Sequence, residues 1–423
     1  MKEDLLQYIW KFQLYNSGDL KSTDEDVLTI IHPGLHNQNQ GPDFNEAKIK
    51  IKDTIWAGNI EIHIRSSEWE THNHSLDKNY RNIILHVVWI HDKEISDYSG
   101  NTIPTLELQS RVSNLLLKKY QQLMDHHQFI PCENQIPAMS ELALTHWKQR
   151  LVIERLIQKS QPILLMLHEN DNHWEETFWW LIAANFGLKV NSYFFQKIAQ
   201  SLPNSILAKH KNNQVVIEAL LFGQAGLLDR DFVEKYPLML QKEYQFYRKK
   251  YQLNQIDGEL QFLRMRPANF PTIRLAQLAQ LISHSEHLFS KIKESKSIDE
   301  LKKMFQLTAN DYWHYHYVFE EETDYKVKKM GNKTVENIII NTIVPIIFCY
   351  GHHHQEDVSK EMAIDWLEKI SPEKNYITKG FEQLHFDNKN AFDSQALIQL
   401  KNEYCDKKMC LHCAIGNSIL TKK

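Results

Sequence analysis

The sequence predicts a mixed α/β domain at the N-terminus followed by a larger all-α domain. Three observations predict it. Residues 41–65 (GPDFNEAKIKIKDTIWAGNIEIHIR) alternate polar and apolar side chains on either side of a turn, the two-residue period of a half-buried hairpin. Residues 82–90 (NIILHVVWI) are almost continuously apolar, as expected of a strand covered on both faces. From about residue 140 the spacing of apolar residues lengthens to a helical period and stays so, interrupted mainly at prolines. The expected division is residues 1–130 for the α/β domain, 131–400 for the helical domain and 401–423 for a cysteine-bearing tail.

Taken in order, residues 3–15 have helical periodicity, with Leu5, Leu6, Ile9, Trp10 and Phe12 apolar. Residues 27–31 read as a strand that Pro33-Gly34 stops. The hairpin over 44–65 turns near Lys52-Asp53-Thr54. A polar loop carrying Trp69, His72, His74 and Asp77 follows, and then the apolar strand at 82–90. Residues 102–109 form a further strand, which Pro104 assigns to an edge because proline lacks the ladder donor. A return helix spans 111–124. Further helices are expected at 174–186, 192–201, 214–228, 239–251, 272–293 and 335–349.

Composition bounds the function without naming it. At 423 residues, 42% hydrophobic and 24% charged, the chain is ordinary for a soluble globular protein. A net charge of −4 supplies no global attraction to nucleic acid, so any such surface must be a local patch. The longest apolar run, 338–350, is broken by Asn341, Thr342 and Pro345, and the charged, amphipathic N-terminus lacks the basic and apolar regions of a signal peptide. Five cysteines, three of them crowded near the C-terminus, fit a reducing compartment better than a disulfide framework. A cytoplasmic protein without membrane partners is expected.

The hairpin carries the first candidate chemistry. Residues two apart on a strand share a face, so Glu61, His63 and Arg65 project to one side and Ile60, Ile62 and Ile64 to the other. An apolar side packed on the core turns the polar side toward a cleft or solvent. Asp43, just before the first strand, and Glu61 can then converge on one cation. The plainer alternative is a solvated polar face on which Asp43 caps a turn and Glu61 pairs with Arg65. His72, His74 and Asp77 are accessory candidates, and His86, in its apolar strand, is expected to be a hydrogen-bonded core histidine.

This stretch resembles the core signature of the PD-(D/E)XK nuclease superfamily: Pro42-Asp43, then Glu61-Ile62-His63 beginning eighteen positions after the aspartate. The resemblance implies a restriction-endonuclease-like core in which Asp43 and Glu61 hold Mg²⁺ or Mn²⁺, helped by the Ile62 carbonyl. The implied activity is metal-dependent cleavage of nucleic acid, DNA ahead of RNA. The chain departs from the signature at His63, where the superfamily has lysine. His63 can orient or deprotonate the attacking water, or bind the metal itself, which favours Mn²⁺ or Zn²⁺. The departure also leaves open a non-catalytic nucleic-acid-binding or scaffold protein on the same fold. A hydrolase of a small phosphorylated substrate is a third reading. A second resemblance spans nearly the whole chain. Segments such as NQNQGPDF, EALLFGQAGLL, RMRPANFPTIRLAQLA and YCDKKMCLHCAIG are similar to those of a family of uncharacterised bacterial proteins, which supplies no activity.

Two further constellations carry chemistry. Cys405, Cys410 and Cys413 have metal-ligand spacing, and His412, Cys132 or Cys349 could complete a set of four for zinc. Cys132 with the three C-terminal cysteines also resembles, in outline, the ligands of the iron–sulfur cluster in some nucleases of the superfamily, although there the distant cysteine precedes the nuclease motif. Arg264, Arg266 and Arg274 flank a proline placed for the first turn of a helix, and with Arg65 they are candidate contacts to nucleic-acid phosphates.

Overall fold

The computed structural model describes residues 1–37, 39–125, 128–136, 139–254 and 256–421. The chain forms two compact units, one of residues 1–144 with 401–423, the other of residues 145–400. The segment 401–423, expected as a separate tail, therefore belongs to the N-terminal unit.

The N-terminal unit is built on a mixed six-stranded sheet. Its strands are β1 (Leu28–His32), β2 (Leu35–His36), β3 (Phe44–Ile51), β4 (Thr54–Arg65), β5 (Ile83–Ile90) and β6 (Thr105–Glu107). The order is β1-β3-β4-β5-β6, with β2 also paired to β3. The pairs β1–β3, β2–β3 and β3–β4 are antiparallel, and β4–β5 and β5–β6 are parallel. The hairpin turn falls at Lys52-Asp53, between paired Ile51 and Thr54, and Lys52 takes a left-handed backbone to close it. A bulge between Phe44 and Ala47, with Glu46 also left-handed, shifts the register by one residue. Beyond the bulge Phe44 faces Ile60, which sets Asp43 beside Glu61. Helix α1 (Glu3–Lys11) is amphipathic and buries Leu5, Leu6, Ile9 and Trp10, packing against β4.

Both faces of β4 are covered at its centre. Ile60 and Ile62 are buried as expected, but Glu61 is only 5% exposed and His63 only 1%. The polar face was expected in a cleft or solvent. It is roofed instead by the segment read as a polar loop, which forms the short helix α2 (Glu68–Thr71) and two 3₁₀ turns, His74–Leu76 and Lys78–Tyr80. The reason is Trp69, which is fully buried with Ile95 and Ile103 and carries the segment down onto the sheet. Beyond β6, helix α3 (Asn114–Asp125) returns along the unit.

The second unit contains helices and no strand element among its described residues. It includes helix α4 (Glu141–Glu169), most of which belongs to this unit, and the expected helices appear as Trp174–Phe186, Leu188–Ser201, Gln214–Gln224, Lys235–Tyr251, Pro271–His284 and Leu288–Glu294. The helix expected at 335–349 runs through Pro345. Residues 332–353 are continuously helical, because a π turn at Ile339–Ile343 absorbs the donor that Pro345 lacks. This run is long and apolar enough to cross a membrane, yet 72% of its apolar window is buried in the structure.

Candidate metal centre

Asp43 and Glu61 clasp one another's strands. The Asp43 backbone N–H donates to Glu61 Oε2 (3.0 Å), and the Ile62 N–H donates to Asp43 Oδ2 (3.0 Å). Gln7, on α1, donates its side-chain amide to Asp43 Oδ1 (2.9 Å). Burial, and then the Glu3 carboxylate, push Asp43 up to about 7. Burial, and then Asp43, push Glu61 up to about 9. Two buried carboxyl groups side by side strongly disfavour a second negative charge, and a cation between them reverses that preference.

Two histidines flank the outer oxygen of Glu61, and two more adjoin them. His74 Nε2 lies 3.4 Å from Glu61 Oε1, and His63 Nε2 lies 3.8 Å from the same oxygen. His63 Nε2 also meets His72 Nδ1 at 3.2 Å. One ring nitrogen from each of His63, His72 and His74 falls within 4.8 Å of the other two, a separation that one ion can bridge. The other nitrogen of His63, Nδ1, is held by His86 Nε2 at 2.8 Å, which fixes the orientation of the ring. His86 is thus buried and hydrogen-bonded, and its bond is to the cluster itself. Tyr80 stacks on His74 at 3.9 Å between centroids, and Trp69 packs edge-on against it.

The electrostatics suit ligands rather than acids. Burial, followed by the neighbouring imidazoles, lowers His63 to about 3 and His74 to about 4. Both rings are neutral at physiological pH, the form that offers a lone pair to a metal. The buried Nε2 of His74 has no hydrogen-bond partner, an orphaned polar atom aimed at the carboxylate. His63 therefore lacks the positive charge of the lysine found in the PD-(D/E)XK signature that this stretch resembles. The donor set is carboxylate and imidazole, which suits Mn²⁺ or Zn²⁺ better than Mg²⁺.

The remaining candidates fall elsewhere. Asp77 caps the turn at Lys78–Tyr80 by accepting from Asn79 N–H (2.9 Å). Arg65 is exposed and reaches Asp92 at 3.5 Å, so it does not pair with Glu61. Arg264, Arg266 and Arg274 belong to the second unit. The first two are exposed, whereas Arg274 is 5% exposed and bonded to Asn269 (2.5 Å) and Gln277 (3.2 Å). Pro271 opens the helix there, as its position suggested. Sequence reasoning missed Gln7 and Tyr80. Neither carries a motif, and only the packing of α1 and the second 3₁₀ turn brings them in.

Comparison with known proteins adds a family and no activity. The model of a family described as "Protein of unknown function (DUF2851)" matches residues 3–376. That span contains the whole carboxylate–histidine cluster and stops short of Cys405, Cys410 and Cys413. No curated protein and no solved structure matches the chain.

Proposed function

We propose that this chain, which belongs to the DUF2851 family of proteins of unknown function, is a metal-dependent hydrolase that cleaves phosphodiester bonds in nucleic acid, DNA ahead of RNA. The observation that carries the reading is the convergence of Asp43, Glu61, His63, His72 and His74 in one cluster, exposed only on its His72 side, with an orphaned imidazole nitrogen. The order of elements also supports it. A helix, an antiparallel hairpin bearing both carboxylates, a short helical crossover and a parallel strand make the kind of core that the PD-(D/E)XK resemblance implies.

Asp43, Glu61 and the imidazoles of His63 and His74 would hold the ion, Mn²⁺ in preference to Mg²⁺. When bound, the ion polarises the phosphate and lowers the pKa of a coordinated water. Gln7 keeps Asp43 in place, and His86 keeps the His63 ring in place. His72, the exposed histidine of the cluster, marks the side from which substrate reaches it. Trp69 and Tyr80 pack their rings against His74 and cover the cluster on that side, where charge interactions are strengthened.

The test is cleavage of labelled single- and double-stranded DNA and RNA with Mg²⁺, Mn²⁺, Zn²⁺ or EDTA. Mn²⁺-stimulated cleavage, reduced about 100-fold or more in Asp43→Ala and Glu61→Ala, is the expected result, the scale on which losing electrostatic catalysis acts. Full activity in both variants would overturn the reading. The neutrality of His63 favours one rival, a nucleic-acid-binding protein without catalysis. Salt-dependent binding with no cleavage under any metal would select it.

A further inference from the structure

The N-terminal unit brings four cysteines together from two distant parts of the chain. Cys132 lies in the turn after α3 and opens the 3₁₀ turn Glu133–Gln135. Cys405 closes a π turn, Leu400–Cys405, and Cys410 starts the 3₁₀ turn Cys410–His412. Cys413 immediately precedes the helix Ala414–Thr421. Between Cys405 and Cys410 the chain doubles back. Lys408 is left-handed, its N–H donates to the Cys405 carbonyl (3.1 Å), and the Met409 N–H donates to the Tyr404 carbonyl (2.8 Å). The Cys413 N–H then donates to the Cys410 carbonyl (3.3 Å), which closes the CxxC stretch into a tight loop.

Local packing enforces this loop. A Cβ on Gly416 would lie 2.1 Å from the Cys410 carbonyl oxygen, so only glycine lets the final helix start against Cys410. The backbone N–H groups of Ile415 and Gly416 donate to the Cys413 sulfur, an arrangement that favours a thiolate. The segment is tied to the unit at several points. Lys408 donates to the Met124 carbonyl, Tyr8 donates to Asn417 (2.7 Å), and the Lys401 ammonium sits 5.2 Å over the Phe129 ring.

All four thiols are free; Cys132, Cys410 and Cys413 are buried and Cys405 partly so. Burial raises each thiol's pKa, and the other sulfurs of the group raise it further for Cys132, Cys405 and Cys410. Cys405 feels the charge of Cys413, Cys132 and Cys410, Cys132 that of Cys413 and Cys410, and Cys410 that of Cys413. The other possible fourth ligands fall away. His412 is exposed, and Cys349 lies in the second unit with its thiol donating to the Ser160 carbonyl (3.8 Å).

We propose that Cys132, Cys405, Cys410 and Cys413 are the ligands of a structural tetrathiolate metal site, loaded with Zn²⁺ or an iron–sulfur cluster, that locks the C-terminal segment onto the turn after α3. Four converging thiols gain little as thiols, since S–H is a weak donor. A metal deprotonates them, and its binding energy becomes folding energy for the segment it closes. The site is separate from the carboxylate–histidine cluster in its residues and in its donor chemistry.

The test uses the full chain purified anaerobically, with zinc, iron and acid-labile sulfide measured per chain and the absorption spectrum recorded. One zinc, or a cluster's complement of iron and sulfide with its visible absorption, is expected. Cys132→Ser and Cys410→Ser should fall to background, while Cys349→Ser stays at the wild-type value. A chain that arrives metal-free is titrated with Co²⁺, whose thiolate charge-transfer bands report sulfur ligation directly. Those bands should survive in Asp43→Ala, which separates this site from the other, and vanish in Cys132→Ser. If a variant is unfolded by circular dichroism, alkylation of the wild type decides instead. Four cysteines protected until a mercurial or chelator is added support the site. No bound metal and no thiolate–cobalt bands in the wild type would overturn it.

Discussion

At the residue scale, His86 shows how a side chain outside the proposed ligand set shapes it. Its ring is fully buried in β5, with Nε2 on His63 and Nδ1 unpartnered. Burial and the surrounding imidazoles hold it well below its usual pKa, so it stays neutral and can only orient. His86→Leu should therefore weaken Mn²⁺ binding about 10–100-fold, the usual loss when a histidine ligand's outer hydrogen bond is removed. Titration of Mn²⁺ by calorimetry reads this out, and His86→Gln, which restores one polar partner, should recover part of the affinity. Equal affinity in all three proteins would show that His63 is held by packing alone. The same residues show what a sequence discloses. Asp43, Glu61 and His63 were legible because two-residue alternation and the spacing across one turn are local properties. His72 and His74 were legible as accessory candidates on a polar loop, without a position relative to Glu61. Their approach to Glu61 depends on Trp69 sinking into the core, and no local pattern encodes that. Of the four cysteines, three were legible from their spacing. Cys132 was one of three candidates that only the fold separates.

At the scale of elements, helix packing was legible where periodicity was strong and hidden where the backbone departed from regularity. The π turn before Pro345 and the bulge at Glu46 both insert an extra residue, which a periodic reading does not see. The bulge matters most, since without it the register would not set Asp43 beside Glu61. Among the helices, Gln214–Gln224 and Lys235–Tyr251 meet at a contact that only glycine allows. A Cβ on Gly223 would fall 2.2 Å from atoms of the Tyr244 ring, and both residues are buried. Gly223→Ala gains helix propensity but must displace that ring. Overpacking of this kind costs about 1–3 kcal/mol, against about 1 kcal/mol gained from replacing a helical glycine. Net destabilisation is expected and should appear as a lower urea midpoint with an unchanged slope. A midpoint at or above that of the wild type would mean that the helices separate without cost.

At the scale of the whole molecule, the second unit holds a partly buried ammonium whose hydrogen bonds go to uncharged amides, and this makes its stability depend on pH. Lys159, on α4, bonds through its ammonium to the uncharged Asn341 (3.0 Å) and Gln395 (3.4 Å), and Arg155 bonds to the same Gln395 oxygen (2.6 Å). Burial, and then the Arg155 guanidinium, lower Lys159 to about 7, with Glu373 opposing. In the unfolded chain this amine titrates near its ordinary value of about 10.4. Between those two values the unfolded chain keeps a proton that the folded chain has released, so ν_U exceeds ν_N and stability rises with pH. Below about 7 both states are protonated, and the folded state bears the full cost of a buried charge beside Arg155. Lys159→Met removes that cost and that titration while keeping an unbranched, apolar stem. The variant should be more stable than the wild type at pH 6, and its advantage should shrink steadily as pH rises from 7 to 10. Urea unfolding of both proteins across that range, read as the difference between them, isolates the one group from all others that titrate. Parallel profiles would show that Lys159 keeps its proton in the fold and that Glu373 and the amide oxygens suffice to hold it.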